Sequence, residues 1–221
     1  MENSSLLPRL DAATNDITAE LNRLREKLSP RGDMVSEAGK KKTQQVFGEP
    51  LAPQQVVERI CRDVKERGLD AVLEYSQKLD AAEMTADQLR VPADDLRATH
   101  AAAAPEFLQT VRQIRDNVAR FQEAILHRDV AVMPSSGVSL RQRYVPLRRV
   151  GICVPGGAAA YPSTVLMTVV PARAAGVDEI VVVAPPTANG ANNPDVLAVC
   201  HELGVDEVYR VGGAQAVAAL A

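Results

Sequence analysis

"VGICVPGGAAAYPST", residues Val150–Thr164, decides how this chain folds. A short apolar run meets Pro155-Gly156-Gly157, then alanines, then Tyr161-Pro162-Ser163-Thr164. That order predicts a strand, a tight turn and a helix start. The same grammar recurs downstream. "PSTVLMTVVPARAAG" predicts a helix with Pro162 near its first turn and Gly176 past its end. Pro171 falls inside that pattern and should kink or divide it. "DEIVVVAPP" predicts a buried strand, and "NPDVLAVCHELG" a helix opened by Asn193-Pro194 and closed by Gly204. "VDEVYRV" is the next strand, and "GGAQAVAALA" begins another helix. "AGVDEIVVV" and "LGVDEVYRV" lie 28 residues apart, from Gly176 to Gly204, which is one strand-plus-helix unit. Apolar strands joined by helices imply a parallel sheet covered on both faces. Right-handed crossovers bring the strand C-termini to one rim, where such sheets bind ligands.

The first 130 or so residues follow a helical grammar. Ile17, Leu21, Leu24 and Leu28 recur at helical spacing. "SPRGDMVSEAGKKKTQQVFGEPLAP" is rich in Gly, Pro and charge and reads as a loop, with Lys40-Lys41-Lys42 solvated on it. Pro53 opens a helix carrying Val56, Val57, Ile60 and Val64 and stopping at Gly68. A shorter amphipathic helix runs through "DAVLEYSQKLD", and "LRV", residues 89–91, reads as a brief strand. Pro105 starts a longer helix whose Leu108, Val111, Ile114, Val118, Phe121 and Ile125 share one face, predicted to be core or interdomain surface. "GVSLRQRYVPLRRVGICV" alternates with period two and predicts two strands broken at Pro146.

Composition narrows the classes. The 221 residues are 46% hydrophobic but only 3% aromatic, with no Trp, so the core must be aliphatic. A net charge of −3 gives no reason to expect nucleic-acid or membrane binding. Cys61, Cys153 and Cys200 are widely spaced and odd in number, which suggests no disulfide framework and a reducing cytoplasm. The N-terminus lacks a basic start followed by an apolar core, so no signal peptide is expected. The apolar stretches are too short and too interrupted to span a bilayer.

Two glycine turns fall at the expected ligand rim, Pro155-Gly156-Gly157 and Gly212-Gly213. Glycine there allows close backbone approach, and the helix N-termini behind supply free N–H groups for a pyrophosphate. Neither turn matches G-x-G-x-x-G or the G-x-x-x-x-G-K-[ST] phosphate loop. Simple tight turns explain the glycines equally well. His100, His127 and His201 show no metal-ligand spacing and read as structural or surface residues. Ser163 and Thr164 read as helix caps, since no G-x-S-x-G elbow surrounds them. Asp178-Glu179 and Asp206-Glu207 read as solvated turn acids at the far end of the sheet. Cys153 has no neighbouring base in sequence to activate it. These residues predict no catalytic and no metal-binding constellation.

At the same residues a resemblance is visible. "VGICVPGGAAAYPSTVLMTVVPARAAGVDEIVVVAPP" followed by "GVDEVYRVGGAQAVAALA" closely resembles histidinol dehydrogenases. "DVKERGLDAVLEYSQKLD" and "GVSLRQRYVPLRRVGICVPGG" extend the similarity upstream to about Pro53. The resemblance implies a cytoplasmic, zinc-dependent homodimer that oxidises L-histidinol to L-histidine with two NAD⁺ in succession. It implies an α/β fold: a helical N-terminal part followed by an incomplete Rossmann-like parallel sheet with flanking helices. Residues 1–52 would form an N-terminal helix and loop, 53–147 a mainly helical first part, and 148–221 the incomplete NAD-binding domain. The cofactor-binding candidates are Cys153, Gly156, Gly157 and Gln215. Cys153 stands where the family carries an aromatic residue, and Gln215 matches the glutamine of its G-G-A-Q-A. The family's zinc ligands, substrate contacts and Glu-His acid/base pair lie beyond that motif. The expectation is therefore a truncated chain, inactive alone, whose last strand is an open edge. The alternatives are a relative acting on another small alcohol, such as a sulfonated diol, and a non-catalytic dinucleotide-binding remnant.

Overall fold

A computed structural model describes residues 10–14, 16–27, 35 and 37–221. The chain divides into two compact units, Met1–Arg59 and Ile60–Ala221, with the boundary inside helix α3 (Pro53–Arg67).

The first unit holds α1 (Ile17–Lys27) and α2 (Glu37–Phe47). Helix α2 corrects the loop expected between residues 29 and 53. Its interior, "KKKTQQVF", is free of Gly and Pro and made largely of good helix formers. Glu37 sits in the first turn, favourable to the helix dipole, and pairs with Lys40 at 2.9 Å. Gly48 follows the helix at φ +81°. Lys40, Lys41 and Lys42 are solvated as expected, but on a helix. Leu21 and Leu24 of α1 are exposed, and Leu28 lies outside the described residues.

The second unit continues with α4 (Leu69–Asp80), α5 (Ala86–Leu89), α6 (Ala93–Ala102) and α7 (Pro105–Ile125). Next come β1 (Val130–Ser135), β2 (Val138–Gln142) and β3 (Arg149–Cys153). It closes with α8 (Pro162–Ala174), β4 (Glu179–Ala184), α9 (Pro194–Glu202), β5 (Glu207–Arg210) and α10 (Gly213–Leu220). Strands β1 and β2 form an antiparallel hairpin, exposed along both strands. Strands β3, β4 and β5 form a parallel sheet in that order, with Ile152 opposite Val182 and Val182 opposite Val208.

Side chains alternate across this sheet as period two requires. Ile180, Val182, Ala184 and Val208 join Val165, Val169, Val196 and Val199 of α8 and α9 in the core. Full burial of one such valine contributes about 1.5–3 kcal/mol. Val181, Val183 and Tyr209 line a cavity on the opposite face together with Val72 of α4 and Ala216 and Leu220 of α10. Helices thus flank both faces.

Four local readings change. Helix α8 runs through Pro171 undivided. The start of α8 has no side-chain cap, so Ser163 and Thr164 do not cap it; the cap position is Tyr161. "LRV" is no strand, because α5 extends to Leu89 and only Arg90 bridges, antiparallel, to Tyr209. That bridge and the Val91 N–H donated to the Val208 carbonyl at 2.8 Å cover the outer edge of β5. The open edge therefore belongs to β3, which pairs with no strand on its other side among the described residues.

On α7, Leu108 and Val111 are buried, whereas Phe121 is 62% exposed and Ile125 is also exposed. Glu179 and Glu207 are not free acids: Arg149, which begins β3, reaches both at 2.8 Å. Asn193 caps α9 by accepting the N–H groups of Asp195 and Val196, and donates to the Ala188 carbonyl. Asn193→Ala is expected to cost about 1–2 kcal/mol, read as a lower urea midpoint at unchanged slope.

Candidate functional site

The strand C-termini deliver three turns to one rim: 154–161 after β3, 185–193 after β4, and 211–212 after β5. Each leads into a helix. The start of α9 is closed by its Asn193 cap, while α8 and α10 begin without any side-chain cap. Their first N–H groups remain available to a ligand with acceptor oxygens.

Beside the start of α10 lies a notch of about 200 Å³. Cys153, Pro155, Val183, Pro185, Gly212, Gly213 and Ala216 line it. Gly213 holds φ +64°, a conformation side chains rarely adopt, and so aims the chain into α10. Beneath it Gln215 is wholly buried. The Gln215 Nε2 donates to Asp80 Oδ2 at 3.3 Å, and its Oε1 has no partner. A Cβ placed on Gly213 would stand 2.7 Å from that oxygen, so the acceptor faces the turn. A buried acceptor without a donor is rare in folded proteins and marks a place where a ligand can complete the bonding.

Cys153 is exposed at the notch, yet partial burial raises its thiol pKa above the ordinary value. It is a thiol at neutral pH, not an activated nucleophile. Cys200 is buried in the core, where desolvation pushes it up to about 12.

The other two candidates are placed differently. Gly156 and Gly157 do not line the notch; their carbonyls accept from Thr187 Oγ1 at 2.6 Å and Asn189 Nδ2 at 2.9 Å. They tie the first rim turn to the second. Cys153, Gly212 and Gly213 therefore share one notch with Gln215 beneath it, while Gly156 and Gly157 serve the neighbouring loop contact. Asp80 was not legible as part of the site, because nothing in sequence links it to a residue 135 positions away.

At the far end of α9, Glu202 is held by Arg112 at 2.8 Å, Arg115 at 3.3 Å and His100 at 2.7 Å. His100 also meets the His201 ring edge-on at 4.9 Å, and His127 stacks on Tyr144. Among the described residues no group of three or more His, Cys, Asp or Glu side chains could hold a metal ion. The described residues do not fit a zinc site.

The family model described as histidinol dehydrogenase matches residues 44–221. This chain belongs to the histidinol dehydrogenase family. It is 63% identical over 211 residues to the histidinol dehydrogenase of Rhodopirellula baltica, covering 96% of this chain and 46% of that protein. It is 42% identical to the histidinol dehydrogenase of Heliobacterium mobile, covering 75% of this chain and 39% of that one. A solved histidinol dehydrogenase from Elizabethkingia anophelis superposes with a TM-score of 0.68 at 31% identity, covering 75% of this chain and 38% of its own. The chain spans less than half the length of these histidinol dehydrogenases. No described helix is long and apolar enough to cross a membrane.

Proposed function

We propose that this chain supplies the dinucleotide-binding part of a histidinol dehydrogenase, the cytoplasmic enzyme that oxidises L-histidinol to L-histidine. The observation that carries this reading is the uncapped start of α10 beside a buried, unpartnered Gln215 oxygen. NAD⁺, when bound, would supply the hydride acceptor, one molecule for the alcohol step and a second for the aldehyde step. The chain's own residues act around it. The α10 N–H groups offer donors to ligand oxygens, Gln215 offers an acceptor, and Cys153, Pro155 and Pro185 line the notch beside them.

Cys153 gives the notch a small apolar wall where the resemblance calls for an aromatic ring. A Cys153→Tyr variant is expected to bind NAD⁺ more tightly, by roughly three- to tenfold, through restored ring contact. The sulfur-for-ring difference thus tunes affinity and does not abolish the site. The zinc and the homodimeric assembly that the resemblance implies are assigned to no residue of this chain.

Calorimetric titration of the 221-residue chain with NAD⁺ tests the reading. Saturable binding that weakens about tenfold in Gln215→Leu is the expected result. Absence of saturable heat from a folded chain, or equal affinity in Gln215→Leu, would overturn it.

A further inference from the structure

We propose that Asp80 is a positioning residue for the α10 site: it fixes the Gln215 amide so that its oxygen, not its NH₂, meets the ligand. The inference rests on the reading of Gln215 as a dinucleotide contact.

A glutamine amide has a donor end and an acceptor end of nearly equal shape. Alone in a pocket it can present either one. A carboxylate oxygen is an acceptor, so Nε2 is the end of the amide that bonds to it, and the 3.3 Å contact to Asp80 Oδ2 is of that kind. The oxygen is then forced the other way. Among the Gln215 atoms, Oε1 is nearest to the empty Cβ position of Gly213, at 2.7 Å against 3.4 Å for Nε2.

The carboxylate is itself well placed to hold this sense. Asp80 is the last residue of α4, and the helix stops there because Ala81 turns left-handed at φ +53°. The Ala81 N–H returns to the Ser76 carbonyl and fixes that end. Helices α4 and α10 pack against each other, so the two side chains meet between them.

The consequence is chemical selectivity. Free N–H groups at a helix start favour anionic oxygen, whereas the Gln215 oxygen rejects it and takes a donor. The first turn of α10 therefore receives a hydroxyl or amide N–H of the dinucleotide, not its pyrophosphate. The uncapped α8 start is left for the phosphates.

Asp80→Asn and Asp80→Ala test this with NAD⁺ and ADP-ribose as probes. Asparagine can turn its own NH₂ toward Gln215 and so lets the amide reverse. The expected result is a loss of about tenfold in NAD⁺ affinity in Asp80→Asn, measured well below its melting temperature. The Gln215 side-chain NH₂ signal in a ¹⁵N spectrum should move in both variants. Asp80→Glu, which keeps the carboxylate, should restore part of the affinity. An equal loss for ADP-ribose places the donor on the ADP-ribose part, a ribose hydroxyl or the adenine amine; a loss confined to NAD⁺ identifies the carboxamide. An unmoved Gln215 signal in both variants overturns the hydrogen bond itself. A moved signal with unchanged NAD⁺ affinity overturns the positioning role while leaving the dinucleotide reading intact. A wild-type chain that ignores NAD⁺ overturns both, even where the signal moves.

Discussion

Glu202→Ala should lower the stability of the chain by about 2 kcal/mol, one of the largest effects of any polar substitution here. The Glu202 side chain is only 8% exposed, and three elements converge on it. His100 comes from α6, Arg112 and Arg115 from α7, and the carboxylate itself closes α9. Arg112 binds it with both Nε and Nη2, at 2.8 and 2.9 Å, a forked geometry that favours the charged form. The Arg112 contact, against an opposing desolvation and with help from His100, lowers the Glu202 pKa from 4.5 to about 2. Both arginines are partly solvated, so water screens the pair and the stabilisation stays well below the buried-pair limit. The sign follows from linkage. The folded state holds the carboxylate ionised more strongly than the unfolded chain does. Its contribution is therefore complete above pH 4.5 and is lost as pH falls from 4.5 toward 2. Glu202→Gln should flatten that part of a stability–pH curve. If urea midpoints of wild type and Glu202→Gln fall in parallel between those pH values, the cluster is not what ties α9 to α6 and α7.

Much of the second unit was legible because its signals are local. Short apolar runs ending at Pro name β3 and β4, the echo of "GVDEIVVV" in "GVDEVYRV" names β5, and Asn193-Pro194 announces α9 with its cap. The family match follows from the same stretch. What failed is equally physical. The α2 helix was hidden by Pro30 and Pro50 outside it and Gly39 inside it, whose turn signals outweighed the Lys and Gln of "KKKTQQ". Pro171 was expected to kink or divide α8, yet the helix runs on to Ala174, anchored by the buried Val165, Leu166, Val169 and Val170 of the turns before the proline. The partial cover on β5 could not be read from a single bridging residue at Arg90. The site was legible as a rim and as Gln215, but not as a notch. Pro185, Ala216 and Asp80 reach it only through tertiary packing, and no spacing rule connects them.

Gly190→Ala should be more damaging than Glu202→Ala, by about 3 kcal/mol or more, and its neighbours reveal what the Pro155-Gly156-Gly157 turn is for. A Cβ on Gly190 would lie 2.2 Å from the Pro185 carbonyl oxygen. That oxygen cannot step aside, because it accepts the N–H groups of Thr187 and Ala191 at 2.8 and 2.9 Å. The loop after β4 would have to unwind. Gly156 presses on the same point: its Cβ would meet Gly190 Cα at 2.7 Å, while its carbonyl takes the Thr187 hydroxyl. Gly156→Ala should therefore cost about 2–3 kcal/mol whether or not any ligand is present. Gly157 differs from both. A Cβ there meets nothing within 4 Å, and its φ is not in the left-handed region, so Gly157→Ala should change stability by less than about 0.5 kcal/mol. The contrast separates two jobs that glycine performs in one turn. If the dinucleotide backbone lies over α8, Gly157→Ala will weaken NAD⁺ binding severalfold in a chain that melts like the wild type. If affinity is unchanged, the whole turn is a loop-to-loop joint, and the ligand touches this rim only through α10.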